Sequence, residues 1–287
     1  MHYIQVKGIL SAKNGMNLYR GCSHGCIYCD SRSRCYQMDH DFEDIAVKEN
    51  ALALLEDALR RRRAPCMIGT GSMSDPYLPL EARLGLTRRA VELLARYGFG
   101  CAVLTKSAGV LRDLDLFQRI HRQAKCVVQM TLTTHDEALC RQVEPNVSTT
   151  AQRVAALREL RAAGIPTVVW LSPILPFLND TAENLTGILE ACIDAGVRGI
   201  VCFGMGMTLR AGNREYFYGQ LDRLFPGLKA RYQRRYGGRY QIASPRQPEL
   251  MRQLYRTCAR AGILHRNEAI FQYLTTLDQR AEQLSLW

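Results

Sequence analysis

Along most of the chain, short apolar or β-branched runs alternate with longer stretches whose apolar residues recur every three to four positions. The first kind reads as buried strand and the second as amphipathic helix. Strands are predicted at Met16–Tyr19, Cys66–Gly69, Cys101–Thr105, Val127–Leu132, Thr167–Leu171 and Gly199–Phe203. Helical periodicity covers Ala46–Arg62, where Val47, Ala51, Leu54, Leu55, Ala58 and Leu59 share a face, and it repeats over Leu86–Tyr97. Thr149–Ala163 and Thr181–Ala195 follow the same rule, each ended by a glycine, Gly164 and Gly196. Six β–α repeats with right-handed crossovers make an α/β fold with a parallel sheet. An open (β/α)6 partial barrel of TIM type and a doubly wound sheet both satisfy that count. Beyond Phe203 the pattern changes. Gly204–Met207 and Arg210–Asn213 read as loops, followed by helical stretches around Tyr216–Phe225, Leu228–Tyr236 and Glu249–Ala261. The predicted organisation is a core over residues 1–210 and a mainly helical extension over 211–287.

Composition narrows the class. With 47% hydrophobic residues in 287, the chain can bury a large core and is no disordered segment. No apolar run approaches the ~20 residues of a membrane span, and the first residues lack the apolar stretch of a signal peptide. The expectation is a soluble, cytoplasmic protein without membrane contact. The net charge of +11 is uneven: residues 211–287 hold 13 Lys+Arg and 6 Asp+Glu. Within them Arg231, Arg234 and Arg235 interleave with Tyr232, Tyr236 and Tyr240. Arginine grips phosphate and tyrosine stacks on bases, so a nucleic acid held by Arg231, Arg234, Arg235 and Tyr236 is one reading. The other is that Tyr232 and Tyr236, four apart on a helix, pack inward while the arginines are solvated.

Eleven cysteines are present, and four of them, Cys22, Cys26, Cys29 and Cys35, crowd into fourteen residues. Cys22-x3-Cys26-x2-Cys29 follows the first predicted strand, at the end of the sheet where barrel active sites collect. Three thiolates on a tight loop suit an iron–sulfur cluster with one iron left open, and Gly21 and Gly25 let the backbone fold closely around it. A zinc site recruiting Cys35 or His24, and a Cys26–Cys29 redox dithiol, are the alternatives. Cys35 reads as a bystander.

This motif, with Tyr28 before its last cysteine, resembles the radical S-adenosylmethionine (SAM) superfamily. Ile68–Tyr77, Leu104–Ser107, Glu144-Pro145 and Arg210–Tyr218 resemble its spore photoproduct lyase-like branch. The resemblance implies the partial barrel. It also implies a [4Fe-4S] cluster on Cys22, Cys26 and Cys29, whose fourth iron SAM chelates. Reductive cleavage of SAM then gives a 5′-deoxyadenosyl radical that abstracts hydrogen from an unidentified substrate, with a flavodoxin or ferredoxin as electron donor. By the same resemblance Lys106 binds the SAM carboxylate, and Ser72, Ser74 and Asp75 lie where the SAM amino group binds. Thr131 and Thr133, on one face of the fourth strand, supply hydroxyls, and Tyr28 contacts adenine through its backbone. The lyase's hydrogen-donating cysteine falls at Ser72. An alkyl O–H bond is much stronger than S–H, so a pyrimidine-photoproduct lyase reaction by the same route is disfavoured. That DNA-repair lyase and a non-catalytic, zinc-stabilised nucleic-acid-binding protein are the competing readings.

Overall fold

The computed structural model describes residues 1–277, so the last ten positions of the extension expected over 211–287 lie outside the described residues. Three short strands come first, β1 (His2–Ile4), β2 (Gly15–Met16) and β3 (Tyr19–Arg20), followed by β4 (Ala46–Lys48). β4 pairs in parallel with β1 and antiparallel with β3, making a small separate sheet.

The repeats then run regularly. α1 (Ala51–Arg60) leads to β5 (Met67–Thr70), and α2 (Glu81–Leu84) with α3 (Leu86–Arg96) leads to β6 (Gly100–Thr105). α4 (Leu114–Gln123) leads to β7 (Cys126–Thr131), α5 (Glu137–Val143) and α6 (Thr150–Ala162) to β8 (Thr167–Trp170), and α7 (Ala182–Asp194) to β9 (Gly199–Val201). The large sheet has the order β2-β5-β6-β7-β8-β9 and is parallel throughout. Each strand lies beside its successor, so the order never reverses as it does in a doubly wound sheet. A twisted parallel sheet wound in one direction curls, and the result is the partial barrel. Side chains alternate across it: Val128, Val169 and Ile200 join the main core, while Val127, Val168 and Val201 form a separate inner layer.

The extension comprises β10 (Gly206–Thr208), α8 (Asn213–Leu224), α9 (Leu228–Tyr236), β11 (Gln241–Ala243), α10 (Gln247–Ala261) and α11 (Asn267–Thr275). β10 and β11 pair antiparallel. α8 and α9 pack Phe217, Leu221 and Tyr232 into a second core with Ile27, Tyr28 and Leu175. α11 turns back and seats Ile270 and Leu274 on Val127, Val168 and Val201. Its neighbours Gly199 and Lys125 stand at the starts of β9 and β7, so α11 closes the floor of the barrel. No described helix is long and apolar enough to cross a membrane.

Several expectations need correction. The helix expected over Ala46–Arg62 begins only at Ala51, because Ala46–Lys48 is β4 and Asn50 anchors the turn by bonding both the N–H and the carbonyl of Val6. The strand expected over Met16–Tyr19 splits between the two sheets. Gly204–Met207, read as loop, contributes β10, and α4 and α11 were not anticipated. Thr133 lies past the end of β7 rather than in it.

Candidate active site

Loops leaving the C-terminal ends of the parallel strands surround one cleft of about 1080 Å³. Residues expected at a site meet there: Tyr28, Cys29, Ser72, Lys106 and Thr131 all line it. Exposed Ser72, Phe203 and Tyr255 mark its mouth.

The cysteine loop is clamped from two sides. Cys22 N–H donates to the Phe42 carbonyl (2.9 Å), and Ile27 N–H donates to the carbonyl of Val143 at the end of α5 (3.0 Å). Asn146 N–H donates to the His24 carbonyl (3.1 Å). Gly21 (φ 86°) permits the first clamp, since a Cβ there would stand 2.5 Å from the Phe42 carbonyl oxygen. Gly25 (φ 72°) passes close to Pro145 in the same way.

Three sulfurs on this loop suit a multi-iron centre better than a single ion. A structural zinc takes four protein ligands. His24 does not offer the fourth, since its Nδ1 and Nε2 stand 3.1 Å from the Asn146 carbonyl and from Asp75. A cluster binds each of three thiolates through a different iron and leaves one iron open. Cys35 supplies no fourth ligand: its exposed thiol meets Arg210 Nη1 at 3.4 Å and does not line the cleft. Burial, aided by the Asp75 charge, pushes the Cys22 thiol up to about 12. Burial drives Cys26 well above its ordinary value. Thiols so buried ionise readily only beside a cation, which a cluster supplies.

Two charged networks frame the loop. Lys106 follows β6, half-buried, with its ammonium 6.0 Å from the Tyr28 ring and no hydrogen bond or ion pair among the described residues. Burial alone would lower it, but Cys26, Glu144 and Cys29 outweigh that and hold it above the ordinary lysine value. Asp75 accepts from Thr105 Oγ1 (2.6 Å), Lys106 N–H (2.7 Å) and Tyr77 N–H (2.8 Å), and His24 Nε2 stands 3.1 Å away. Burial would raise its carboxyl; His24 and these bonds win and bring it to about 2. Ser74 is buried and donates to the Gly21 carbonyl at 2.6 Å. Asp75 and Ser74 therefore face the protein, not the cleft, and of the three residues expected to meet SAM there, Ser72, Ser74 and Asp75, only Ser72 lines it.

Sequence reasoning missed the second network. Arg153 on α6 is fully buried and pairs with Glu144 at 2.6 Å. It also donates to the carbonyl of Thr131 (2.7 Å), and Tyr28 Oη donates to Glu144. Burial would raise Glu144, yet Arg153 and Lys106 keep it below its ordinary value. Glu144-Pro145 was noticed only as a resemblance. Nothing local marks Arg153 as a buried residue.

Two further expectations fail. Thr133 is buried behind the cleft, its carbonyl held by Asn179 and Asn184 and its hydroxyl near that of Thr134. Tyr236 cannot stack on a base: it is buried against Phe177 and Tyr232, and its hydroxyl donates to the Ala243 carbonyl (2.8 Å). Arg234 and Arg235 are exposed, while exposed Arg231 lies over the Phe177 ring at 3.8 Å.

A family model described as the Radical SAM superfamily matches residues 16–192, more than half of the chain. An uncharacterised protein of Mycobacterium tuberculosis is 36% identical over 229 residues, covering 77% of this chain and 66% of that protein. One of Methanocaldococcus jannaschii is 33% identical over 174 residues, covering 60% and 64%. The chain thus spans about two thirds of the length of these curated relatives. Among solved structures, a spore photoproduct lyase variant matches with a TM-score of 0.62, over 91% of this chain and 78% of that one, at 16% identity. That likeness shows the fold.

Proposed function

The chain belongs to the radical SAM superfamily, whose members use a [4Fe-4S] cluster and SAM, and on that footing we propose that Cys22, Cys26 and Cys29 hold the cluster and that the cleft takes SAM beside a substrate. When bound, the two groups supply a 5′-deoxyadenosyl radical able to abstract hydrogen from the substrate. The observation that carries the reading is the donor set: three cysteines on one clamped loop, with Cys35 turned to Arg210 and His24 engaged by Asp75 and the Asn146 carbonyl.

The chain's own residues orient and enclose. Lys106 presents an ammonium that the described residues leave without a bond, suited to a carboxylate such as that of SAM. Thr131 and Ser72 add hydroxyls on the cleft wall. Asp75 positions Lys106 by accepting its backbone N–H, and Ser74 fixes Gly21 before the first cysteine. At about 1080 Å³ the cleft exceeds the ~300–1,000 Å³ typical of one small ligand, leaving room for SAM and a second molecule. Trp170 and Phe203, with ring centroids 5.8 Å apart, give that second molecule an apolar wall.

The zinc-module reading is disfavoured because neither Cys35 nor His24 is placed to give a fourth ligand, and a photoproduct lyase route by the Ser72 hydroxyl at the donor position. The electron donor is proposed to be a flavodoxin or ferredoxin. Nucleic-acid binding retains exposed Arg231, Arg234 and Arg235 and, of the three interleaved tyrosines, only exposed Tyr240.

Anaerobic reconstitution of single alanine variants tests the assignment. Cys22→Ala, Cys26→Ala and Cys29→Ala should each fail to assemble the cluster, read as iron and sulfide per chain, while Cys35→Ala should load fully. Full iron loading with SAM cleavage in Cys26→Ala would falsify it.

A further inference from the structure

A second constellation lies outside the cleft. His2 in β1, His40 and Asp44 each offer one ligand atom, and the three atoms lie within 4.8 Å of one another. His2 Nδ1 is 2.8 Å from Asp44 Oδ2, and the two imidazole rings meet edge to face with centroids 4.8 Å apart. The other oxygen of Asp44 holds the Met1 ammonium at 2.8 Å.

His40 sets the chemistry of the group. Its Nδ1 is 2.9 Å from the Asp41 carbonyl, which can only accept, so the ring proton sits on Nδ1 and Nε2 carries a lone pair. That Nε2 is shielded from solvent and has no hydrogen-bond partner among the described residues. Metal-ligating histidines are oriented in this manner, one nitrogen bonded to a carbonyl and the other left for the ion.

We propose that His2, His40 and Asp44 bind a divalent transition metal of the zinc type. Two imidazoles and a carboxylate suit such an ion, whereas calcium and magnesium require oxygen ligands. Zinc at its usual bond lengths holds N and O ligand atoms about 3.4 Å apart, so small side-chain rotations close the site, with water in the fourth position. The bound ion ties two segments together, β1 and the stretch from His40 to Asp44. His2 N–H already donates to the Ile45 carbonyl (3.1 Å), and the segment between His40 and Asp44 carries Phe42, whose carbonyl holds the Cys22 N–H. The ion therefore braces the strap behind the first cysteine without sharing a ligand with the cysteine loop.

The test uses the chain from Met1 with its cluster loaded and no polyhistidine tag. After chelator treatment it is titrated with Zn2+ against a chromophoric competitor, with iron counted in parallel. One zinc per chain, bound more tightly than about 1 μM, is expected at unchanged iron content. His2→Gln and His40→Gln should each weaken zinc at least about tenfold while keeping their iron. If either loses iron and so reports misfolding, Asp44→Asn, which preserves shape, must produce the same loss of zinc. Zinc binding weaker than about 1 μM, or affinity unchanged in correctly loaded variants, overturns the proposal. Iron is read separately, so a failed cluster assignment and a failed zinc site give different results.

Discussion

Burial removes water from the Lys106 side chain, and the described residues offer its ammonium no hydrogen-bond acceptor in return. That imbalance favours an anionic ligand. Lys106→Ala should weaken SAM binding by about 1.5–3 kcal/mol, the worth of a charge-assisted hydrogen bond. Equilibrium binding to iron-loaded enzyme reads it, and unchanged affinity would return Lys106 to a solvated role. Asp75 predicts differently, because its carboxyl is held at about 2 against an ordinary 3.8. A depressed carboxyl stabilises the fold above its unfolded value and loses that contribution as pH falls through its folded one. Asp75→Asn should therefore cost about 2 kcal/mol at neutral pH. In urea melts of reduced, metal-free protein the difference should shrink between about pH 4 and pH 2; a gap independent of pH would reject it. The cysteine spacing and Lys106 were legible because their chemistry is local. The roles of Asp75 and Ser74 were not, since turn residues and ligands use the same side chains and only the fold brings His24 and Gly21 to them.

Elements carry their own lesson in α6. Periodicity locates this helix almost to the residue, yet it treats Arg153 as polar surface, whereas Arg153 is fully buried against Glu144. An ion pair between separate elements leaves no trace in local pattern. Breaking it should be costly, since one charge remains buried and unpaired: Glu144→Leu should lose about 3–5 kcal/mol. The double variant Glu144→Leu/Arg153→Met should recover much of that, and denaturant midpoints of metal-free protein decide; additive losses would contradict the pairing. α9 illustrates the converse. Its span was predicted as Leu228–Tyr236 and is found so, and inward packing of Tyr232 and Tyr236 replaces the base-stacking surface. β4 was missed because Ala46 and Val47 satisfy helical spacing, and only pairing with β1 and β3 makes them strand.

At the scale of the whole molecule, β–α alternation announced a parallel sheet, but strand order was needed to distinguish a curled barrel from a doubly wound sheet. The extension was legible as helical and basic, and its last described helix was not. That helix, α11, has a consequence in time. A ribosome working at about 5–20 residues per second needs on the order of 10–50 s to proceed from Cys29 to Thr275. The cysteine loop exists throughout that interval, and Val127, Val168 and Val201, once made, have no α11 beneath them until its end. The nascent chain is thus exposed to oxidants and to aggregation before its floor arrives, so lasting cluster assembly belongs after α11 is made. A chain stopped at Gly262 freezes this stage. It should bind a hydrophobic dye, yield to protease more readily than the full chain and retain iron poorly although every cysteine is present; protease resistance and iron equal to the full chain's would show that the barrel closes without its floor.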